Sequence, residues 1–287
     1  MQINIDPNAG FCFGVDYAID KAVDFIDKNS KIYCLGQIVH NQQEIKRLEN
    51  LGLITIDFEK FKTLKNVTVL LRAHGEPPQT YQIAKQNNIN LVDATCPIVL
   101  RLQLKVRQKY LEIKPKNGTI VIFGKHNHPE VIGLLGQTDN QAIVVQTIQD
   151  LKNIDFTKPI ALFSQTTMSA DDYAQIIDYV KNNAKAPYIE QSMCKQVANR
   201  SKNFDEFCSN NQVIVFVSGT NSSNGKYLFN KCKQKNPNTY FVSDTNQIEK
   251  KWFENAHSVG ITGATSTPKW QLEQAKAKIQ SFFDIVD

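Results

Sequence analysis

The chain has 287 residues, 41% of them hydrophobic and 21% charged, with a formal net charge of +5. That balance excludes an intrinsically disordered protein and leaves room for two or three domains of about 100 residues each. No run of 18 apolar residues occurs, and the first residues lack the basic, apolar and small-residue order of a signal peptide, so a cytoplasmic protein without a membrane role is expected. The mild positive charge suits an anionic substrate, although a solvated, lysine-rich surface carries the same charge.

In chain order, the helical pattern VDYAIDKAVDFIDKN is followed by strand-like runs KIYCL, VTVLL, TIVIF, AIVVQ and IALF. The helical DDYAQIIDYVKNNA comes next, then strand-like VIVFV and TYFV, and finally the helical WQLEQAKAKIQSFFD. Most of these runs are apolar on successive positions, as in strands buried on both faces. Strands interleaved with helices predict an α/β architecture with mainly parallel sheets.

Three passages are alike. Cys12 in GFCFGVDYAID, Cys96 in DATCPIVLRLQ and Cys194 in QSMCKQVANRS each precede a helical pattern. His40 in LGQIVHN lies 28 residues after Cys12, His128 in FGKHNHPE 32 after Cys96, and Ser222 in SGTNSSNG 28 after Cys194. A second set follows at offsets of 62, 70 and 72: His74 in LRAHGEPP, Thr166 in FSQTTMS and Ser266 in ITGATSTP. Three lobes are therefore expected, at 1–95, 96–192 and 193–287, each with one cysteine and two polar loops at strand-to-helix junctions. Ligands of open parallel sheets bind beyond the carboxyl ends of the strands, so a common centre would collect all of these groups in one cavity.

The residue types fit such a centre. A thiol at a helix N-terminus meets free backbone N–H groups, which favour the thiolate that metals require. The paired C-x-x-C spacing of structural zinc is missing, so metal ligands and core thiols both remain open for Cys12, Cys96 and Cys194. Cys34, Cys208 and Cys232 read as thiols without a function. Imidazole N–H groups of His40, His74 and His128 can donate to phosphate oxygens. Ser222, Ser223 and Asn224 precede a helix, where at least one acts as an N-cap and the others make an anion site; Ser266, ahead of a proline, repeats the arrangement. No P-loop lysine is present, which disfavours nucleoside triphosphate hydrolysis. Glu130 is either a surface charge or, if buried among phosphate donors, a proton source, with the hydroxyls of Thr166 and Thr167 extending the proton path.

As an ordered set, GFCFGVDYAI, GQIVHN, RAHG, DATCPIV, HPEVIG, SQTT, NSSN and TSTP, spanning residues 10 to 268, resemble the LytB/IspH family. Two departures stand out: the last loop, GITGATSTP, places its glycine one position earlier than is usual, and Glu76 stands where a small apolar residue is common. The resemblance implies three similar α/β lobes with mainly parallel sheets in pseudo-threefold array around one 4Fe-4S cluster. Cys12, Cys96 and Cys194 would be its three ligands, leaving one iron open for catalysis. It further implies an iron–sulfur oxidoreductase that converts a hydroxylated allylic diphosphate to isopentenyl and dimethylallyl diphosphates. The diphosphate would lie on His40, His74, His128, Ser222, Ser223, Asn224 and Ser266, with Thr166 and Thr167 also binding the substrate. Glu130 would give the proton, Thr166 would position it or the substrate hydroxyl, and a ferredoxin or flavodoxin would supply electrons. The rivals are a cluster-dependent dehydratase, which consumes no net electrons, and a metal-bearing regulator without enzymatic activity. No Arg/Lys stripe with interleaved aromatics supports a nucleic-acid partner.

Overall fold

A computed structural model describes residues 1–194 and 203–283. The elements are β1 (Gln2–Ile5), α1 (Phe13–Asn29), β2 (Ile32–Leu35), α2 (Gln42–Leu51), β3 (Leu53–Ile56), α3 (Phe58–Thr63), β4 (Thr68–Leu71), α4 (Pro78–Gln86) and β5 (Asn90–Asp93). There follow α5 (Pro97–Ile113), β6 (Thr119–Phe123), α6 (Pro129–Gly136), β7 (Ile143–Val145), β8 (Ile160–Ser164), α7 (Ala170–Asn183) and β9 (Tyr188–Ile189). The last part holds β10 (Val213–Val217), α8 (Ser223–Lys235), β11 (Thr239–Val242), β12 (Ser258–Gly263) and α9 (Lys269–Ser281). The helical pattern expected directly after Cys194 lies outside the described residues.

Local chemistry accounts for these elements. In α1 the buried residues Gly14, Ala18, Ile19, Ala22 and Ile26 share one face, and the helix stops at Ser30, whose left-handed backbone (φ 67°) sends its N–H back to Ile26. The strands VIVFV and IALFS are buried at every position, because helices cover both faces of their sheets. One face of the first sheet packs Ile32, Cys34 and Leu70 against α1 and α2, while the other packs Leu35, Val69 and Leu71 with Phe61 and Ala84.

All strand pairs are parallel, and three four-stranded sheets result, with orders β3-β2-β4-β5, β7-β6-β8-β9 and β11-β10-β12-β1. Each sheet thus has the same internal order, second-first-third-fourth, and the expected three-lobed parallel architecture is what the chain adopts. The first strand departs from the expected division at 1–95. β1 pairs with β12, Gln2 opposite Ser258 and Ile5 opposite Ile261, and so supplies the fourth strand of the third sheet. Thr262 then donates to the buried Asp6 carboxylate at 2.7 Å, tying the strand's end into the third lobe. The amino-terminal strand closes a ring of three units, which a reading by linear offsets does not reveal.

Cys208 and Cys232, read from sequence as separate thiols, are joined as a disulfide, with Cα atoms 5.7 Å apart. Both lie in the core of the third lobe with Phe204, Phe216 and Leu228. A separation of 24 residues between helical patterns gives no sign of such a pairing.

Candidate active site

The threefold repeat reaches the hydrogen bonds. The amide of Cys96, after β5, donates to the carbonyl of Ala73 at 3.0 Å; that of Cys194, after β9, to Thr166 at 3.1 Å; that of Cys12, after β1, to Thr265 at 3.2 Å. In each case the segment after the fourth strand of a sheet carries a cysteine whose backbone is pinned to the loop leaving the third strand. Those loops carry His74, Thr166 with Thr167, and Ser266. The loops leaving the first strands of the three sheets carry His40, His128 and Ser222. Every cysteine, histidine, hydroxyl and carboxylate expected from sequence to form the site lines one central cavity.

Cys12 and Cys96 start α1 and α5, with no side-chain cap at either helix. They sit side by side: a Cβ placed on Gly14 would lie 2.8 Å from the sulfur of Cys96, so only glycine lets the two helix starts approach this closely. The backbone N–H groups of Val15 and Gly14 do favour the Cys12 thiolate, as the helix-start argument requires. Burial outweighs them, and the Cys96 and Cys194 sulfurs add to it, so the Cys12 thiol is pushed up rather than down. Cys96 is raised for the same first reason, burial, against the N–H groups of Ile98 and Val99. Three sulfurs facing one cavity, with Cys12 and Cys96 both raised by burial and by a neighbouring sulfur, fit a cationic group that takes thiolate ligands, as an iron–sulfur cluster does. Cys34 stays apart, buried in β2 with its thiol pushed up to about 12.

The three imidazoles form a triad. Ring centroids are 5.0 Å apart for His40 and His74, 5.4 Å for His74 and His128, and 5.7 Å for His40 and His128. Burial is the main cause that lowers all three from the ordinary imidazole range, with Arg72 contributing to each; His128 comes down to about 3. Neutral rings can stand this close, whereas three imidazolium ions could not. His40 Nε2 and His74 Nδ1 are buried without a hydrogen-bond partner in the structure. His128 Nδ1 accepts from the amide of Glu130 at 3.2 Å, which leaves Nε2–H as the donor.

The third lobe adds hydroxyls and an amide. Ser222 caps α8 by accepting from the Gly225 amide at 3.0 Å, and its oxygen also accepts from Ser266 at 3.1 Å. Asn224 uses its carbonyl oxygen on the amide and hydroxyl of Thr265, both at 3.1 Å, and its Nδ2 is a further buried donor without a partner. Buried polar atoms normally have partners, so unmatched groups of His40, His74 and Asn224 on one cavity mark the place of a polar ligand.

Glu130, only 2% exposed, opens α6 behind His128. Thr166 donates to both of its oxygens, from its amide at 2.7 Å and its hydroxyl at 3.0 Å. These bonds favour the carboxylate, but burial prevails and holds the acid at about 7. Sequence reasoning overlooked the supporting residues. Gln165, inside the SQTT motif, receives the Lys125 amide at 3.1 Å and donates to Thr167 at 2.9 Å. Thr265 joins Cys12 to Asn224. Arg72 lies behind the triad and pairs with Glu76 at 3.6 Å, so the unusual acid at position 76 has a cation beside it. All three lie inside quoted motifs, SQTT, TSTP and RAHG, but only the fold shows what they touch.

Three parallel α/β lobes bring three thiols, three neutral imidazoles and a buried acid to one cavity, a donor set that suits a thiolate-bound metal group beside an anionic ligand. The chain belongs to the LytB family, whose description "LytB protein" matches residues 3–280. It is 48% identical over 284 residues to the 4-hydroxy-3-methylbut-2-enyl diphosphate reductase of Bacteroides thetaiotaomicron, covering 98% of each chain. It is 49% identical over 284 residues to the protein of that name from Phocaeicola vulgatus, covering 97% of this chain and 98% of the other. Among solved structures, it matches the E-1-hydroxy-2-methyl-but-2-enyl-4-diphosphate reductase from Plasmodium falciparum with a TM-score of 0.85 and 28% identity, over 96% of this chain and 87% of that one. A second, titled the terminal enzyme of the non-mevalonate pathway, matches with a TM-score of 0.73 and 30% identity, over 98% of this chain and all (100%) of the other. Among the described residues no helix is long and apolar enough to cross a membrane.

Proposed function

We propose that the chain reductively removes the hydroxyl of (E)-4-hydroxy-3-methylbut-2-enyl diphosphate to give isopentenyl diphosphate and dimethylallyl diphosphate, the last step of the non-mevalonate route to isoprenoid precursors. The observation that carries this reading is the convergence of the three cysteines, the imidazole triad and Glu130 on one cavity. Relatives covering almost the whole chain bear the name of that reductase. The reaction consumes two electrons and two protons and releases water. It therefore needs an entry for electrons, a grip on the diphosphate and a buried acid.

Cys12, Cys96 and Cys194 would hold one 4Fe-4S cluster, three thiolates being one fewer than such a cluster usually takes. When bound, it would supply electrons singly and Lewis acidity toward the departing hydroxyl. His40 and His74 of the first lobe and His128 of the second donate to the diphosphate oxygens, Thr167 adds to the grip from the second lobe, and Ser222, Ser223, Asn224 and Ser266 complete it from the third. Glu130 keeps its proton up to about pH 7 and delivers it to the reacting end of the substrate, while Thr166 holds the carboxyl in place. The lobes at 1–95, 96–192 and 193–287, with the first strand given to the third, each contribute one ligand loop and two substrate loops. The electrons come from a ferredoxin or flavodoxin.

Anaerobic iron and sulfide analysis with an absorption spectrum, followed by an assay with the diphosphate, tests the reading. Iron, sulfide and reductant-dependent conversion are expected. Conversion without any electron donor would point to the dehydratase, and a colourless zinc protein to the regulator.

A further inference from the structure

The loops that carry His40 and Ser266 come from different lobes, and a set of buried polar contacts joins the helices they lead into. Asn41, next to His40, caps α2 through its Oδ1, which accepts from the Glu44 amide at 3.1 Å. Its Nδ2 reaches across to α9 and donates to Gln271 Oε1 at 2.7 Å, with both residues buried. One turn along α2, Glu44 is 0% exposed and accepts from Trp270 Nε1 of α9 at 2.7 Å. Arg47, on the same helix, donates to both Glu44 oxygens at 2.9 and 2.6 Å. Beside these contacts, the carbonyl of His40 packs so closely on Gly219 of the third lobe that no side chain would fit there.

None of Asn41, Glu44, Trp270 or Gln271 lines the cavity, so none touches the ligand proposed for it. Their chemistry still bears on it. A buried carboxylate is stable only with its full set of donors, and one of the donors of Glu44 belongs to the other lobe. Separating the lobes would leave the Glu44 oxygen, the Trp270 N–H and the amides of Asn41 and Gln271 short of partners inside a dry contact. Both bridges are directional hydrogen bonds, so they set rotation as well as distance between α2 and α9.

We propose that Trp270–Glu44 and Asn41–Gln271 form an interlobe latch that fixes His40 relative to Ser266 and so holds the diphosphate grip in its assembled arrangement. The four are positioning residues, and the proposal rests on the diphosphate reading of the cavity given above. A grip held in place lowers the ordering cost that binding would otherwise carry, so the latch acts on affinity for the phosphate end and leaves proton delivery by Glu130 alone.

The test is calorimetric titration of the holoenzyme with inorganic diphosphate, alongside steady-state kinetics, thermal unfolding and cluster absorbance. Trp270→Phe keeps the ring bulk and removes the N–H; Gln271→Leu removes the other bridge; Glu44→Gln keeps an acceptor for Trp270. Trp270→Phe and Gln271→Leu should each weaken diphosphate binding about tenfold and raise KM by a similar factor, with kcat and cluster absorbance held. Glu44→Gln should stay within about twofold of the parent affinity. If Trp270→Phe fails to fold, Gln271→Leu carries the same comparison. A folded Trp270→Phe or Gln271→Leu variant with a lowered melting temperature but the parent affinity would overturn the latch. Failure of the parent enzyme itself to bind inorganic diphosphate would instead overturn the diphosphate reading, and the latch with it.

Discussion

Thr166 holds Glu130 by both carboxyl oxygens, through its amide at 2.7 Å and its hydroxyl at 3.0 Å. Two effects on the acid oppose each other: the hydrogen bonds from Thr166 favour the charged form, and burial favours the neutral one and wins, leaving it at about 7. An acid that must be protonated to act loses activity as pH rises through that value. kcat should therefore fall above about pH 7, and Glu130→Gln should lower it by about 10²- to 10⁴-fold with diphosphate binding retained. Thr166→Val removes a bond that favours the carboxylate, so the alkaline limb of the kcat profile should move to higher pH, and Thr166→Ser should restore it. An unmoved limb in Thr166→Val would separate Thr166 from the titration of Glu130.

The cysteines lead to two predictions, the second of which involves no change of ligand. Serine at Cys12, Cys96 or Cys194 should deplete iron and acid-labile sulfide, while Cys34→Ser should leave both near the parent value. Gly14→Ala keeps every thiol, but its new methyl group would meet the Cys96 sulfur at 2.8 Å and the Cys96 Cβ at 3.0 Å. One of the two helix starts must then shift, and metal sites tolerate little displacement of a ligand. Gly14→Ala should lose much of its iron and sulfide; full retention would show that the two sulfurs need not be held at this separation.

The runs that were legible in sequence, KIYCL, VTVLL, TIVIF, AIVVQ, IALF, VIVFV and TYFV, became β2, β4, β6, β7, β8, β10 and β11. Of the five without a clear signal, β1, β3, β5 and β9 are edge strands of two to four residues with partly exposed positions, so no continuous apolar run marks them, whereas β12, SVGITG, is interior and buried but has its apolar run broken by two glycines and a threonine. The candidate site was legible because its residues recur at similar offsets: the first set reaches the loop after the first strand of each sheet and the second set the loop after the third. The same linear view could not show β1 crossing to the third sheet, nor Trp270 reaching Glu44 over 226 residues, since neither pairing leaves a local pattern. The helix-start argument for low thiol pKa values had the right sign for the backbone contribution but omitted burial, which is larger.

The imidazole triad makes stability depend on pH in a defined direction. Folding lowers these histidines from about 6.5, with His128 at about 3, so between those values the unfolded chain binds protons that the folded chain does not. Their contribution to stability is therefore full above pH 6.5 and lost as pH falls toward 3. Glu130, raised from 4.5 to about 7, acts in the opposite sense over part of the window, so the comparison to make is parent against His128→Asn. The variant should show a shallower loss of melting temperature between pH 6.5 and pH 4. A bound diphosphate should favour the protonated rings, so titration near pH 6.5 in buffers of different ionisation enthalpy should show proton uptake, smaller in His128→Asn. Equal uptake in both proteins would take His128 out of the anion grip.

Lys125 and Lys226 stand on facing lobes next to that grip. The carbonyl of Lys125 accepts from the amide of His128 at 3.2 Å, and the amide of Lys226 donates to the carbonyl of Ser222 at 3.0 Å, so each lysine is tied by its backbone to a residue on the cavity wall. Burial lowers Lys125, and Lys226 lowers it further, so two like charges are held within reach of each other. An incoming diphosphate relieves that repulsion and gains from both ammonium groups, more from the half-buried Lys125 than from the exposed Lys226, which water and salt screen. Lys125→Gln should raise KM for the diphosphate by about three- to tenfold at low salt, leave kcat nearly unchanged and flatten the dependence of KM on ionic strength. Lys226→Gln should act in the same direction with a smaller change. KM measured from about 0.02 to 0.5 M salt decides the matter, because a parent-like KM and salt slope in Lys125→Gln would mean that the ammonium group never meets the substrate's charge.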